Sequence, residues 1–145
     1  MAIPEIDFYH GAALHQIIDL PEFTSINRDP HISGSSYIIN HNVGLFIKHS
    51  TAAGPWAFTF TKEHQEQIRR MFERYREKAF LALICKDIGV CLLTYGEYRK
   101  TVNERFLKAE GIKVEKPERG GFRVNGSKGR IGVIPLNRYP RLLFE

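Results

Sequence analysis

The spacing of apolar residues predicts two amphipathic helices in the first half of the chain. Apolar side chains at near-helical intervals predict a helix over about residues 7–19, which ends before Pro21. The apolar positions concerned are Ile6, Ala13, Ile17 and Leu20. The run KEHQEQIRRMFERYREK follows Thr61, a typical N-capping residue, and its charged residues cover one side only. Its other side is a stripe of His64, Ile68, Met71, Phe72 and Tyr75, which makes this run the clearest helix of the chain.

Short runs rich in β-branched and aromatic residues predict strands around these helices. FTSINRD is a short extended piece, and SYIIN and LFIKHS form a hairpin in which Asn42 and Gly44 supply the turn. WAFTF alternates apolar and polar positions and predicts a third strand of the same group. After the second helix, FLALIC and VCLLT predict two buried strands joined by KDIG.

The last third of the chain predicts one more helix and a β-rich segment. TYGE is a capping box, in which Thr94 and Glu97 have the spacing to cap a helix over about residues 95–107. Two turn-like clusters follow, ERGG and NGSKG, and FRV and RIGVI flank the second in hairpin fashion. The element order predicts an α/β fold with a mixed β-sheet flanked by helices. We expect a single domain over residues 1–145, with an α/β core over 1–107 and a basic, β-rich extension over 108–145.

Composition limits the class of protein. The 145 residues are 43% apolar and 12% aromatic, which suffices for one core. No long uncharged apolar run and no signal-like N-terminus is present, so we expect no membrane insertion and a cytoplasmic location. Cys85 and Cys91 lack the spacing of zinc ligands and stand in apolar runs. We expect both to be buried, reduced packing residues.

The net charge of +5 is unevenly distributed along the chain. Residues 105–145 carry ten Lys and Arg against four acids, whereas residues 1–104 are close to neutral at −1. A basic segment of this kind is compatible with a polyanion such as DNA or RNA, and it is equally compatible with a solvated surface. Within it, Arg123, Lys128 and Arg130 surround NGSKG with few acidic neighbours and are the preferred phosphate contacts.

Lys48 lies near the end of the apolar strand in VGLFIKHST. A lysine there can be the cationic partner of a site that cleaves phosphodiesters, or it can reach the solvent at a sheet edge. The run SYIINHNVGLFIKHST, followed by WAFTF, TKEHQEQIRRMFERY and FLALIC, resembles the core of the restriction-endonuclease-like superfamily, the PD-(D/E)xK nucleases. The resemblance covers about residues 8–93 and is greatest to the small archaeal Holliday-junction resolvases. The same pattern also resembles a group of small bacterial proteins.

The resemblance implies a restriction-endonuclease-like fold that acts on nucleic acid, with Mg²⁺ as the cofactor if the site is active. In that superfamily an aspartate and the acid of an acid-x-Lys motif hold the metal, and the lysine helps to activate water. Lys48 fits the lysine position, but the acid position two residues earlier on the same strand face is Phe46. The earlier aspartate would fall near Ser36 to Ile38, where no acid stands. Relatives of the resolvase type also imply a homodimer.

Three interpretations follow. In the first, the fold has lost its metal site and kept a surface that binds nucleic acid or a protein partner. In the second, carboxylates have moved and converge on Lys48. In the third, the layout is a coincidence of α/β patterning. The carboxylates available for the second interpretation are Asp7, Asp19, Asp29, Glu63 and Glu66, of which Asp29 and Glu63 are our catalytic candidates. We expect a protein that binds or processes nucleic acid. The alternatives are a protein-interaction module and an active, Mg²⁺-dependent endonuclease.

Histidines near strand ends are further candidates. No two of the six have the i, i+4 spacing of a zinc-binding helix, so we assign no metal ligands. His31 and His49 lie beside serines at a loop or strand end, where catalytic groups tend to collect, and His49 joins Lys48 as a catalytic candidate.

The segment SGSSY could cradle a phosphate, although serine-rich segments are more often only turns. The hydroxyls concerned are those of Ser33, Ser35 and Ser36, and the backbone of Gly34 lies among them. Tyr37 could stack on an unpaired base, and so could Trp56 if it were exposed. A tryptophan in an alternating run is more typical of a core residue, so Ser35, Ser36 and Tyr37 are the nucleic-acid-binding candidates here.

Overall fold

Two long buried strands form the centre of the fold. The computed structural model describes residues 2–32 and 34–145. Strands β3 (Val43–Ser50) and β5 (Ala79–Cys85) pair in parallel, and β5 is buried along its whole length. Parallel strands that are covered on both faces consist of nearly continuous apolar residues. This explains why LFI and FLALIC show no alternation in the sequence.

Three further strands complete a mixed five-stranded sheet. The strands are β1 (Ile26–Arg28), β2 (Ser36–Ile39) and β6 (Gly89–Thr94). The order is β1-β2-β3-β5-β6, and every neighbouring pair except β3 and β5 is antiparallel. A parallel pair needs a long crossover connection, which here contains a short strand and a helix. The predicted α/β class, with a mixed sheet and helices, is confirmed.

Helices cover both faces of this sheet. Helix α1 (Glu5–Ile18) packs on the face that carries Leu45 and Ile47, and Tyr139 and Leu143 from the end of the chain join it there. Helices α2 (Lys62–Tyr75) and α3 (Tyr95–Thr101) cover the opposite face, which carries Phe46. Three short 3-10 turns complete the described helical structure, at Arg76–Lys78, Leu136–Arg138 and Arg141–Phe144.

A second sheet of three strands packs beside α2 and α3. Its strands are β4 (Trp56–Phe60), β7 (Glu110–Glu115) and β8 (Arg123–Gly126), in the order β4-β7-β8. The prediction that WAFTF joins the hairpin group is therefore wrong, because β4 pairs with β7 from the last third of the chain. Alternating burial is the same in either sheet, so the sequence pattern did not identify the partner strand.

Residues of the segment 108–145, which is predicted as a β-rich extension, contribute to both cores. Phe122, Val124 and Ile134 are buried with α2 and β5, and the Tyr139 hydroxyl donates to the Ala13 carbonyl of α1 at 2.7 Å. The predicted hairpin of FRV and RIGVI forms only in part. The second run returns along β8 through the isolated bridges Phe122–Ile134 and Asn125–Arg130, and β7 is the regular partner of β8.

Two predicted turn and helix boundaries also differ. The turn between β2 and β3 uses Asn40 and His41, whose φ angles are 51° and 66°, rather than Asn42 and Gly44. Asparagine tolerates this left-handed region better than most residues. Helix α3 ends at Thr101 instead of about residue 107, because the backbone N–H of Lys128 donates to the Thr101 carbonyl at 2.9 Å and the next residue is extended.

The predicted packing residues lie in the core. Cys85 and Cys91 are buried free thiols, and burial raises the pKa of Cys85 to about 12. Trp56 is buried, and its indole N–H donates to the Ala52 carbonyl at 2.8 Å, which confirms the core interpretation and leaves no face for base stacking.

Gly44 lies within β3 under the ring of Tyr75, and a Cβ there would come 2.5 Å from Tyr75 Cδ2. We expect Gly44→Ala to lower the free energy of unfolding by about 1–3 kcal/mol, since a packed core accommodates an added methyl only by moving its neighbours. Urea denaturation measures this. Gly111→Ala is the matched control on β7, where an added Cβ meets nothing within 4 Å. Equal stability of the two variants would contradict the packing described here.

Candidate functional site

Lys48 lies in the part of β3 that pairs with β5 but no longer pairs with β2. Strand β2 begins at Ser36, which pairs with Phe46. Beyond this pair, β3 continues with β5 as its regular partner. Residues two apart share a strand face, and Lys48 therefore points to the same side as Phe46, towards the start of α2. Its Nζ lies 5.3 Å from the centre of the Phe60 ring. Burial lowers the pKa of the Lys48 ammonium, because the charged form loses water there.

His64 holds this ammonium at the N-terminus of α2. Thr61 and His64 form a capping box, in which the His64 N–H donates to Thr61 Oγ1 at 3.1 Å and the Thr61 N–H donates to His64 Nδ1 at 3.2 Å. Because Nδ1 accepts, the neutral ring carries its proton on Nε2. Lys48 Nζ is a second donor to Nδ1, at 3.4 Å. Burial and the Lys48 charge both lower the pKa of His64.

Two more imidazoles approach from the α1 side of the strand. His49 points away from Lys48, and its Nε2 lies 3.2 Å from Glu5 Oε1 while its ring stacks on Tyr9 at 4.7 Å. His10 is buried on α1, with Nδ1 2.9 Å from the Tyr37 hydroxyl. Burial lowers the pKa of His10, and so does the nearby charge of a protonated His49. His10 is therefore neutral at pH 7.

These side chains line one cavity of about 210 Å³ at the open edge of β3. Its lining residues are Ile6, His10, Ser35, Phe46, Ile47, Lys48, His49 and His64. Among the described residues, the polar groups of the lining are an ammonium, imidazoles and a hydroxyl, and none is a carboxylate. An ammonium is a strong partner for phosphate oxygens, so the chemistry of the cavity matches an anion.

The structure brings together three of the residues selected from sequence. Lys48, His49 and Ser35 line the cavity, and the Ser35 carbonyl accepts from the Ile47 N–H at 3.0 Å. Asp29 and Glu63 do not line it. The buried Asp29 carboxylate accepts from the Tyr75 hydroxyl at 2.8 Å, near the other end of α2. Glu63 is exposed and accepts a 3.4 Å hydrogen bond from the side-chain amide of Gln67.

The proposed nucleic-acid contacts fall into two groups. Tyr37 is half-buried beside the cavity through its hydroxyl contact with His10, while Ser36 is buried beneath it. Ser33, part of the predicted phosphate cradle, lies outside the described residues. A separate group of exposed cations lies on β8 and in the segment that follows it, and consists of Arg123, Lys128 and Arg130. Lys128 Nζ donates to the Arg99 carbonyl at 3.2 Å, so this group extends towards α3.

The residues present do not fit a magnesium centre. Mg²⁺ prefers oxygen ligands, mostly carboxylates and water, in octahedral geometry. Ser36 and Phe46, at the positions that the nuclease resemblance assigns to acids, face each other across β2 and β3. Within residues 2–32 and 34–145, no group of three or more His, Cys, Asp or Glu side chains is placed to hold a metal ion.

Sequence reasoning missed His10, His64 and Glu5. His64 was counted in the apolar stripe of α2, although its position three residues after Thr61 is that of a capping-box partner. His10 and Glu5 carried no usable signal, because their partners lie on strands more than twenty residues away along the chain.

A larger groove of about 640 Å³ lies elsewhere, between α1 and the turn that joins β5 to β6. Exposed apolar side chains line it, among them Ile3 and Phe8. Its rim carries Glu5 and Asp87 against Lys86, so it lacks the cationic character of the Lys48 cavity.

Comparisons with protein-family models, with curated proteins and with solved structures found no match. In the described part of the chain, none of the helices has the length and apolar character needed to cross a membrane.

Replacing Lys48 with Met removes a positive charge that lowers the pKa of His64, so we expect that pKa to rise. An NMR titration of the imidazole resonances measures it. Lys78→Met, which removes an exposed lysine outside the cavity, is the control and leaves the titration of His64 unchanged. An unaltered His64 midpoint in Lys48→Met would show that the two side chains do not interact.

Proposed function

We propose that this chain binds nucleic acid, and that the Lys48 cavity contacts a backbone phosphate. The observation that carries the proposal is the cavity itself: a half-buried ammonium, three imidazoles and a hydroxyl converge in it, and its lining contains no carboxylate. Lys48 takes part in none of the salt bridges found among the described residues. A half-buried cation without a carboxylate partner gains most from an anionic ligand.

The arrangement of elements supports a nuclease-like origin for this site. Strand β3 carries Lys48 near its end, and it is followed by the short strand β4, helix α2 and the buried strand β5, which lies parallel to β3. This is the order of elements on which the resemblance to the PD-(D/E)xK nucleases depends. With Ser36 and Phe46 in place of the acids, we propose that the chain retains the nucleic-acid surface of such a fold without its metal centre.

The second sheet offers an additional contact for the phosphate backbone. Arg123, Lys128 and Arg130 are exposed, and they belong to the segment of the chain that carries a net charge of +6. Phosphate contacts of this kind add affinity and salt dependence but no sequence preference. Such contacts do not by themselves distinguish DNA from RNA.

Two further expectations accompany this proposal. A cytoplasmic location follows from the sequence, and a homodimer follows from the resemblance to resolvases. Sedimentation equilibrium tests the second. The rival function is a protein-interaction module. Salt-insensitive association with a protein, without nucleic-acid binding, would favour that rival.

We expect Lys48→Met to weaken the binding of single-stranded, duplex or branched DNA, or of RNA, by about tenfold, which is the loss of one charge-assisted hydrogen bond. Fluorescence anisotropy with labelled oligonucleotides over a series of salt concentrations measures it. The slope of log K against log salt should also fall by about one. Lys78→Met is the control with an equal change of net charge, and equal affinities of the two variants would remove the cavity from the proposal.

Replacing Arg123, Lys128 and Arg130 together with Ala should weaken binding to a similar extent across sequences and reduce the salt slope by up to about three. The same anisotropy series measures it. Unchanged affinity in the triple variant would remove the second sheet from the interface and leave the Lys48 cavity as the proposed contact.

A further inference from the structure

The groups that line the Lys48 cavity come from opposite faces of one strand. Lys48 and His64 belong to the α2 side, whereas His49 and His10 belong to the α1 side. They meet because β2 begins only at Ser36, so that beyond the hydrogen bond from the Ile47 N–H to the Ser35 carbonyl this edge of β3 has no regular strand partner. A ligand at that edge therefore lies between an ammonium on one side and two imidazoles on the other.

Within residues 2–32 and 34–145, each imidazole on the α1 side has a hydrogen-bond partner at one ring nitrogen and none at the other. Tyr37 occupies Nδ1 of His10, which leaves Nε2. Glu5 occupies Nε2 of His49, which leaves Nδ1, and the stacked ring of Tyr9 holds the imidazole in place. A base whose second nitrogen is oriented by another group is the usual arrangement for proton transfer in enzymes.

We infer that this cavity cleaves RNA without a metal ion, with His10 and His49 exchanging protons with the substrate while Lys48 holds the phosphate. The inference rests on the proposed function, since it requires a nucleic-acid phosphate at Lys48. It goes beyond binding by assigning a reaction and a substrate class. The catalytic residues are His10, His49 and Lys48, and His64 is a positioning residue that acts through its hydrogen bond to the ammonium.

The reaction is an intramolecular transesterification. Neutral His10 removes the proton of the ribose 2′-hydroxyl, and the 2′-oxygen forms a bond to phosphorus. The bond from phosphorus to the 5′-oxygen of the next nucleotide breaks with its electron pair, and protonated His49 donates a proton to that oxygen. The products are a 2′,3′-cyclic phosphate and a 5′-hydroxyl. Lys48 stabilises the negative charge that grows on the non-bridging oxygens in the transition state.

The chemistry of the lining residues explains why RNA is the substrate. The donor set does not suit Mg²⁺, so the cavity has no ligands for a metal-activated water. RNA supplies its own nucleophile within the same nucleotide, and DNA lacks that hydroxyl. General acid–base catalysis therefore suffices for RNA and leaves DNA uncleaved.

The surroundings of His10 suit the role of the base. Burial lowers the pKa of His10, and a protonated His49 lowers it further, so a proton on His49 favours a neutral His10. The other groups that face His10 are Asp7 of α1, whose charge acts in the opposite direction, and Tyr37 of β2. Burial raises the pKa of Tyr37, which remains an uncharged hydroxyl at neutral pH.

The test measures cleavage and binding separately. Labelled single-stranded RNA is incubated with the full chain in EDTA, next to DNA and 2′-O-methyl RNA of the same sequence. We expect the RNA alone to be cut, to a 2′,3′-cyclic phosphate and a 5′-hydroxyl. His10→Gln and His49→Gln should each slow cleavage by about 100-fold or more while still binding 2′-O-methyl RNA, which shows that the variants are folded. His15→Gln, an exposed histidine on α1 outside the cavity, is the control and retains the full rate.

The pH profile of the rate adds a readout that a structural role would not produce. An acid and a base in one site give a bell-shaped profile. Because the pKa of His10 is lowered in the free protein, the acidic limb of the profile of kcat/KM should fall below the ordinary histidine pKa of about 6.5.

Each contrary outcome would overturn either the inferred cleavage, the chemistry assigned to it, or the proposed function. If 2′-O-methyl RNA binds but RNA stays intact, the inference fails and the proposed function stands. If cleavage needs added Mg²⁺, cuts DNA equally, or proceeds at the same rate in His10→Gln as in His15→Gln, the assigned chemistry is wrong. If no nucleic acid binds at all, the proposed function fails and the inference fails with it.

Discussion

β3 and β5 lie side by side in parallel, with apolar side chains on both faces that have to be covered. This requirement organises the remainder of the fold. Helix α1 and the end of the chain cover one face, and α2, α3 and the second sheet cover the other. Because the crossover from β3 to β5 contains α2, the N-terminus of that helix comes to lie against the end of β3. The side chain of Lys48 therefore lies next to the start of α2.

The site depends on the short length of β2, which begins only at Ser36. A strand that is paired on both edges keeps the side chains of its two faces apart, since the sheet lies between them. Beyond Ile47, whose N–H donates to the Ser35 carbonyl, the β2 side of β3 has no regular strand partner, and groups from both faces can reach the same cavity. Phe46 contributes by packing against the ring of His64 at 6.0 Å, which ties α2 to the strand. In this fold an aromatic contact stands where a nuclease resemblance places a metal ligand.

Burial gives the cavity its electrostatic character. Partial removal from water lowers the pKa values of Lys48, His10 and His64, so each group holds its proton less readily than in water. An anion in the cavity would reverse this tendency by supplying the opposite charge. The proposed affinity for phosphate and the proposed proton transfer would therefore depend on the same desolvation.

The sequence by itself determined the elements that depend on near neighbours. The capped helix after Thr61, the capping box of Thr94 and Glu97, the β2–β3 hairpin, the α/β class and the buried cysteines were all predicted, because each pattern extends over only a few residues. It also selected Lys48, His49 and Ser35, which stand next to a strand end that the pattern reveals. The location of WAFTF in a second sheet could not be predicted, since any alternating strand suits either partner.

Only the tertiary structure decided which side chains meet. His10 and Tyr37 are 27 positions apart, His49 and Glu5 are 44 apart, and Lys48 and His64 are 16 apart, and each pair belongs to different elements. Asp29 does not line the cavity of Lys48, and its carboxylate accepts a hydrogen bond from the Tyr75 hydroxyl instead. Local patterns report hydrogen bonding and burial within an element. Contacts between elements depend on how whole faces pack, and that information is spread over the entire chain.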